Sequence, residues 1–390
     1  SIILEKVPGP FYETIGKIII PTLTKGLESE DPEIIILCLD TINDYIKKFD
    51  YELIKNKYKA FKLDKEKIVQ VALKNITSSN DLLKAHSIDI IGTVGVLLTK
   101  KQVCETTKKL IELINNSSTI LDKKNYILAL KSLGHTSSRS QLDQLKELLN
   151  LLIQHISKDF LDSEGDYDEK NSLVEATLNC IEIYIGTSLS HIKENVPNII
   201  NNACELLKYD PGNTNEVENV EIEGYDGYEE LEFDANLDDT AWKVRRAAAR
   251  ILRIILSSGF NLEPEVKEKI ISDLIESFKE QEENTKLEII KCLNHYLDSL
   301  VISKENQGEL VFVKTQSLIV NEYIPQVSKK LIECILKDLE GNNNNIKNNT
   351  LKILPTLAKV YPEGIIDSFD TLKKGIDKAC FDSNENTIIF

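Results

Sequence analysis

Residues 238–252 read DDTAWKVRRAAARIL, the pattern of an amphipathic helix with two unlike faces. Asp239 or Thr240 is suited to the N-cap position, where a side-chain oxygen accepts hydrogen bonds from amides that have no partner within the helix. The apolar residues then recur at spacings of three and four, which places them on one buried face: Ala241, Val244, Ala248, Ile251, Leu252 and Ile255. Three successive alanines let a neighbouring helix approach closely, and Ser257-Ser258-Gly259 end the helix.

A stripe of positive charge runs beside this buried face. Its members are Lys243, Arg246, Arg250 and Arg253. A hydrophobic core does not accept such side chains without partners. We therefore expect this helix to pack on one side and to present cations on the other.

The segment before this helix, residues 210–239, is acidic and contains no Lys or Arg. Connections between paired helices are usually about 2–8 residues long, so an insertion of this length is either functional or disordered. Three interpretations remain open: the insertion is solvated, it folds back on the positive stripe, or it grips a basic partner. The candidate partner-binding residues in the insertion and on the helix are Glu221, Glu223, Asp226, Glu229, Glu230, Trp242, Lys243, Arg246 and Arg250.

Composition limits the class of protein. The 390 residues are 42% hydrophobic and 28% charged but only 6% aromatic, which favours a globular, all-α chain. The formal net charge of -16 argues against non-specific binding to nucleic acid or to an anionic membrane surface. No stretch reaches the roughly 18 consecutive apolar residues of a transmembrane helix.

Helix pairs recur along the whole chain. The turn residues between the two helices of a pair recur at about the 40–47-residue period of HEAT repeats, once the insertions are set aside: Asp31, Asp81, Asp122, Asp239, Asn284 and Asn345. Such a pair cannot bury its apolar faces alone and becomes stable by stacking on its neighbours. The sequence therefore predicts an all-α, armadillo-like HEAT-repeat solenoid, a right-handed superhelix of about seven to eight helix pairs.

The predicted solenoid is a single segment, residues 1–390, with two insertions. One is the acidic loop at 210–239. The other is an insertion at 303–320, which we expect to be irregular; the alternative is that residues 310–313 form a short strand. The sequence Asp31-Pro32 predicts the start of a helix, with Asp31 as its N-cap and Pro32 as its first residue. Gly92 and Gly95 weaken the helix predicted over 82–98 and indicate close packing at that point.

Signatures of catalysis are missing. The chain has no Gly-rich phosphate loop, no GxSxG and no HExxH motif, and its five histidines are scattered. The seven cysteines occur singly and mostly inside predicted helices, which is typical of reduced thiols in a core. We expect no enzymatic activity, no metal and no cofactor.

Three segments resemble the cullin-associated, neddylation-dissociated proteins. Residues 238–252 are similar to that family's acidic run followed by SWKVRRAAAKCL, with Ala241 in place of its serine. Residues 206–211, LLKYDP, resemble its entry into an acidic insertion, and residues 278–286, FKEQEENTK, resemble its RFKEREENVK. The order and spacing of the three agree, and the match is collinear towards both ends of the chain.

This resemblance implies a helical HEAT superhelix that wraps around a cullin and its RING partner and has no catalytic residues. It implies binding to cullins that lack the ubiquitin-like modifier, and exchange of substrate-receptor modules. The chain contains no Met and begins with Ser1. It would correspond to a middle or N-terminal portion of such a protein, without the C-terminal part that displaces receptors.

The leading hypothesis is a non-catalytic scaffold that binds unmodified cullin–RING ubiquitin ligases and regulates their assembly and substrate-receptor exchange. The alternative is an importin-β-like nuclear transport receptor, whose ligand would be a small GTPase or a basic import signal. A phosphatase scaffold is a third possibility, but its repeats are more regular and the insertion at 210–239 argues against it. We expect a monomer that binds proteins only, in the cytoplasm and the nucleus.

Overall fold

The computed structural model describes residues 12–48, 63–188, 191–210, 240–258, 260, 262–306, 309–314 and 318–381. Over these residues, apart from one short β-hairpin, the chain is a succession of helices that pack in pairs, so the predicted all-α solenoid is confirmed. Within the described ranges, every helix is too short or too polar to cross a lipid bilayer. The acidic insertion, apart from Asp210, lies outside the described residues.

The chain divides into two compact units. The first consists of Ser1–Phe160 and Ser172–Val196, and the second of Leu161–Asn171 and Pro197–Phe390. The helices that lie in the first unit, or begin in it, are α1 (Tyr12–Gly26), α2 (Pro32–Lys48), α3 (Lys65–Asn75), α4 (Asp81–Gly95), α5 (Lys100–Asn116), α6 (Ile120–Ser137), α7 (Leu145–Gln154) and α8 (Lys158–Leu161). A 3-10 helix, Ser138–Gln144, joins α6 to α7. Helix α9 (Tyr167–Ser188) begins in the second unit and continues into the first.

The second unit contains the remaining elements, apart from Val196, the first residue of α10. They are α10 (Val196–Leu207), α11 (Ala241–Ser257), α12 (Pro264–Glu276), a 3-10 helix (Ser277–Lys279), α13 (Glu283–Leu300), β1 (Val301–Asn306), β2 (Glu309–Lys314), α14 (Leu318–Glu340), α15 (Asn344–Leu351), α16 (Ile353–Val360), α17 (Pro362–Asp367) and α18 (Phe369–Phe381). Helix α11 packs against α13, α12 against α14, and α13 against both α15 and α16.

In the first unit, the second helices of three successive pairs form a layer. Helix α2 packs on α4 and α4 on α6, while α1, α3 and α5 each pack on the second helix of their own pair. Ile42, Ile90 and Leu130 are fully buried within this layer. Burying such a side chain contributes about 1.5–3 kcal/mol, so stacking of neighbours supplies the core that one pair lacks.

The first turn between paired helices follows the prediction closely. Helix α2 begins at Pro32, and the Glu33 amide donates to Asp31 Oδ1 at 2.9 Å. The next second helices are capped by Asn80 and Thr119, whose side-chain oxygens accept from the amides of Leu83 and Asp122. The predicted turn residues Asp81 and Asp122 therefore lie in the first turns of their helices. The positive end of the helix dipole stabilises a carboxylate there.

Gly92 and Gly95 lie where α4 meets α6, so the predicted close packing is confirmed. A Cβ atom at Gly92 would be 2.8 Å from the main-chain oxygen of Ser132. The hydroxyl of Thr136 donates to the Gly92 carbonyl at 2.9 Å, and that of Ser137 donates to the Gly95 carbonyl, also at 2.9 Å. The two backbones approach so closely because neither glycine carries a side chain.

Substituting Gly92→Ala is expected to lower the free energy of unfolding by about 1–3 kcal/mol, because the new methyl group overpacks a contact with main-chain atoms. The gain in helix propensity, about 1 kcal/mol, does not offset a forced displacement of α6. Gly186→Ala in α9 is the matched control, since a Cβ there meets no atom within 4 Å and should stabilise the protein. Urea denaturation of the two variants measures the difference, and equal effects would contradict the packing argument.

A β-hairpin corrects the expectation of an irregular insertion at 303–320. Strands β1 and β2 are antiparallel, with Val301 opposite Lys314 and Asn306 opposite Glu309. Strand β2 includes residues 310–313, the position of the alternative strand prediction. This run, Leu-Val-Phe-Val, combines β-branched and aromatic residues that favour strands, and it is too short for a helix of the repeat.

Candidate partner-binding site around Trp242 and Arg245

Helix α11 has the two faces that its sequence predicts. All six predicted apolar residues are buried, and so are Ala247 and Ala249. Helix α13 packs on α11, and the alanine run allows the close contact. The polar side chains of α11 lie at the edges of this packed face, and they form the candidate site.

The N-terminus of α11 differs from the prediction that the side chain of Asp239 or Thr240 caps this helix. Thr240 is the N-cap residue, but its side chain makes no hydrogen bond to the amides of its own helix. Instead, its hydroxyl donates to Asp168 Oδ1 at 2.7 Å and accepts from Asn171 Nδ2 at 3.0 Å. The hydroxyl therefore fixes α11 to the start of α9. Asp239, the other predicted cap, lies outside the described residues.

Arg245 joins three parts of the second unit. Its Nε donates to Glu280 Oε2 at 2.6 Å and its Nη2 donates to Glu280 Oε1 at 3.3 Å, which is a bidentate pair. Its Nη1 donates to the main-chain oxygen of Tyr209 at 3.1 Å. The side chains of Arg245 and Glu280 are only 14% and 10% exposed. The guanidinium thus ties α11 to the segment after α10 and to the turn before α13.

Trp242 forms an aromatic platform with two cations of α11. The Nζ atom of Lys243 lies 5.7 Å from the centroid of the half-buried indole ring, and the Cζ atom of Arg246 lies 4.9 Å from it. Each such cation–π contact contributes about 0.5–1 kcal/mol at a partly exposed position. The main-chain oxygen of Trp242 accepts from Thr285 Oγ1 at 3.0 Å, so α13 also fixes this turn.

The turn before α13 is held by carboxylates. Glu282 accepts from the Thr285 amide at 2.7 Å and so caps the helix. Burial acts to raise the pKa of Glu282, but the hydrogen bonds from Thr285 and Asn284 outweigh it and hold the pKa below its usual value. Glu283 accepts from the side-chain amides of Asn343 and Asn345 at 2.8 and 2.5 Å. These bonds link the first turn of α13 to that of α15.

Lys286 is a buried cation that connects three elements. Its Nζ donates to the main-chain oxygen of Phe278 and, at 2.7 Å, to Asp338 Oδ1 on α14. The same nitrogen lies 4.3 Å from the centroid of the Phe278 ring. The second oxygen of Asp338 accepts from Thr350 Oγ1 of α15 at 3.0 Å. The side chains of Lys286 and Asp338 are 6% and 11% exposed, so the ion pair is sheltered from water.

Two open grooves flank the segment 277–281 between α12 and α13. One, of about 450 Å³, is lined by Lys208, Tyr209, Arg245, Glu280 and neighbouring residues. The other, of about 620 Å³, is lined by Lys286, Cys334, Asp338 and the turn after α14. Lys208, which lines the first groove, pairs with Asp273 and Glu276 at 2.7 Å each, and these hydrogen bonds raise its pKa.

Four of the nine candidate partner-binding residues lie on α11. Trp242, Lys243 and Arg246 come together on α11, and Arg250 lies one turn further along the same helix. Arg253, the last member of the positive stripe, pairs with Glu288 of α13 at 3.2 Å. The five acidic residues Glu221, Glu223, Asp226, Glu229 and Glu230 lie outside the described residues. Among described residues, no cluster of His, Cys, Asp or Glu is suited to hold a metal ion.

Arg245, Glu280, Lys286 and Asp338 are the structural residues that the sequence pattern missed. Arg245 falls between the apolar face and the positive stripe, and its partner Glu280 is 35 residues away. A signal existed nonetheless, because Tyr209, Arg245 and Glu280 belong to the three segments that resemble one family. The structure brings these three segments into contact through one guanidinium.

No family model matches the chain. Cullin-associated NEDD8-dissociated protein 1 of Arabidopsis thaliana is 22% identical to it over 399 residues, which cover 99% of this chain and 31% of the relative. The chain resembles the cullin-associated NEDD8-dissociated proteins along nearly its whole length. It spans about a third of the length of this curated relative.

A second cullin-associated NEDD8-dissociated protein, from Emericella nidulans, matches a smaller part of the chain. Its name describes it as protein 1, C-terminal part, and it is 29% identical over 179 residues, which cover 40% of this chain and 17% of the relative. We expected the chain to correspond to a middle or N-terminal portion of such a protein. That expectation stays a prediction, because this relative is named for the C-terminal part.

The fold is also that of solved helical-repeat structures. A crystal structure of importin beta aligns with a TM-score of 0.62 over 92% of this chain and 42% of that chain, at 12% sequence identity. At this identity the likeness concerns the fold alone. It confirms the HEAT-type α-solenoid as the architecture of this chain.

Proposed function

We propose that this chain belongs to a non-catalytic scaffold that binds cullin–RING ubiquitin ligases lacking the ubiquitin-like modifier. Its role there is to regulate ligase assembly and the exchange of substrate receptors. The observation that supports this most directly is the junction at Arg245. There, the three segments that resemble the cullin-associated family contact one another, so they form one contiguous part of this chain's structure.

The contact surface that we propose is the positively charged edge of α11. Trp242 offers a large, half-buried ring at this edge, and Arg246 and Lys243 lie beside it. Aromatic residues and arginine are enriched among the residues that dominate protein–protein binding energies. The acidic residues of the neighbouring insertion (Glu221, Glu223, Asp226, Glu229 and Glu230) and Arg250 complete the proposed surface.

The test is co-elution of the purified chain with a cullin–RING complex, prepared once without and once with the covalent ubiquitin-like modifier. We expect a complex with the unmodified form only. The double substitution Lys243→Glu and Arg246→Glu should weaken binding about tenfold or more, because it reverses two charges beside the aromatic contact. Lys373→Glu with Lys374→Glu is the matched control, since it changes the net charge equally on exposed positions of α18. Equal binding of the modified and unmodified complexes would contradict the proposal.

The importin-like alternative is tested alongside the two cullin complexes. The likeness to importin beta at 12% identity describes the fold and leaves the ligand open. Binding of a small GTPase in its GTP-bound form, together with no binding of either cullin complex, would favour a transport receptor. Imaging of the tagged chain tests the accompanying proposal that it occurs in both cytoplasm and nucleus.

A further inference from the structure

Three exposed aliphatic side chains occupy equivalent places on neighbouring helices of the first unit. Ile34, Leu82 and Leu121 lie in the first turns of α2, α4 and α6, and they are 44%, 64% and 47% exposed. Because α2 packs on α4 and α4 on α6, the three positions follow one another from helix to helix, and they are here called the aliphatic row. Packed helices are about 8–10 Å apart, so the row is roughly 20 Å long.

The fold itself does not require this row. A single exposed leucine is ordinary on a protein surface, whereas a contiguous apolar patch marks an interaction site. In the second unit, the first turns of α13 and α15 carry Asn284 and Asn345 at the corresponding place. These turns are joined by polar contacts, such as the bond between Asn345 and Glu283. The first unit thus exposes apolar groups where the second unit has hydrogen bonds.

The two ends of the aliphatic row differ in charge. At the α2 end, Glu30, Asp31 and Glu33 are exposed within and beside the turn that precedes Ile34. At the middle helix, Asp81 pairs with Lys84 at 2.7 Å, and this ion pair is locally neutral. At the α6 end, Asp122, Lys123 and Lys124 follow Leu121, and all three are partly exposed, so lysines outnumber the one carboxylate there. The row therefore runs from an acidic end to an end that carries two lysines.

We propose that the aliphatic row docks an amphipathic helix of a partner protein, with an apolar stripe on the row and a basic end over the first turn of α2. A helix of about 14 residues spans 20 Å and presents a stripe that matches three aliphatic groups. Opposite charges at the α2 end fix the direction in which the helix lies. This surface is in the first unit, so the proposal does not depend on the cullin-binding surface proposed on α11.

The test uses two labelled synthetic helical peptides with the same leucine stripe and the full chain as receptor. One peptide has lysines at one end and glutamates at the other, and the second has glutamates at both ends. Fluorescence anisotropy should show tighter binding of the lysine-ended peptide, and added NaCl should reduce its advantage. The variant Ile34→Ser, Leu82→Ser, Leu121→Ser should bind it about tenfold or more weakly, whereas Ile366→Ser, a 71%-exposed control, should bind it unchanged.

A second variant tests the charge separately from the apolar contact. Glu30→Gln with Glu33→Gln should remove most of the preference for the lysine-ended peptide while leaving residual binding of both peptides. The proposal fails if the triple serine variant binds as tightly as the unaltered chain, or if the two peptides bind equally. It also fails if sedimentation shows a dimer that the triple variant abolishes, because the row would then be an interface between two copies of this chain.

Discussion

Lys286→Met should lower the free energy of unfolding of the second unit by about 3–5 kcal/mol, the range found when one member of a buried ion pair is removed. The substitution leaves the carboxylate of Asp338, 11% exposed, without its cation, and leaves the Phe278 carbonyl without a donor. The hydroxyl of Thr350 on α15 then remains as the hydrogen-bond donor to the carboxylate of Asp338 on α14. Chemical denaturation, with hydrogen exchange to locate the loss, measures the effect.

A second substitution separates charge from packing at this position. Adding Asp338→Leu to Lys286→Met removes the orphaned carboxylate, so the double variant should recover a substantial part of the lost stability. Lys291→Ala is the control on the same helix, because its ion pair with Glu288 has a half-exposed lysine and should contribute less than about 1 kcal/mol. A double variant less stable than Lys286→Met would show that the ion pair is not the main contribution.

Arg245→Ala should destabilise the second unit by roughly 3 kcal/mol, the lower end of the range for a buried ion pair. The alanine removes both hydrogen bonds to Glu280 and the one to the Tyr209 carbonyl, and it leaves Glu280 nearly buried. The segment after α10 loses this hydrogen bond to α11 at the same time. We expect the amides of residues 205–210 to exchange faster, in addition to a lower denaturation midpoint.

Arg245→Lys distinguishes the geometry of the guanidinium from its charge. Lysine keeps the positive charge but cannot form the bidentate pair and reach the Tyr209 carbonyl together, so it should restore less than half of the lost stability. Arg253→Ala offers a comparison within α11, since its single bond to Glu288 is more exposed and the loss should be about 1 kcal/mol. If the losses at positions 245 and 253 were equal, the three-way junction would have no special role.

Much of the fold follows from the pattern of apolar residues. The buried face of α11 and the start of α2 at Pro32 were predictable, because both depend on residues within one or two helical turns. The N-cap of α11 was not, since Thr240 is suited to capping by its chemistry but is engaged by Asp168 and Asn171, about seventy residues earlier. Rules based on neighbouring residues in the sequence do not predict a hydrogen-bond partner that is distant along the chain.

The candidate site shows the same division. Lys243 and Arg246 were expected in one stripe of α11, and the structure places both beside the ring of Trp242. Arg245 belongs to neither face by periodicity, and only the position of Glu280 in the folded unit explains its burial. The short hairpin at 301–314 was obscured for a different reason, because a run of four apolar residues fits both a strand and part of a helix.

The two ends of the acidic insertion are secured independently of its length. Tyr209 is held from α11 by Arg245, and Thr240 is held by Asp168 and Asn171 of α9. The chain between these anchors is therefore a natural place to lengthen, shorten or exchange sequence, such as a fluorescent domain or a foreign binding motif, while the helical repeats on either side keep their packing.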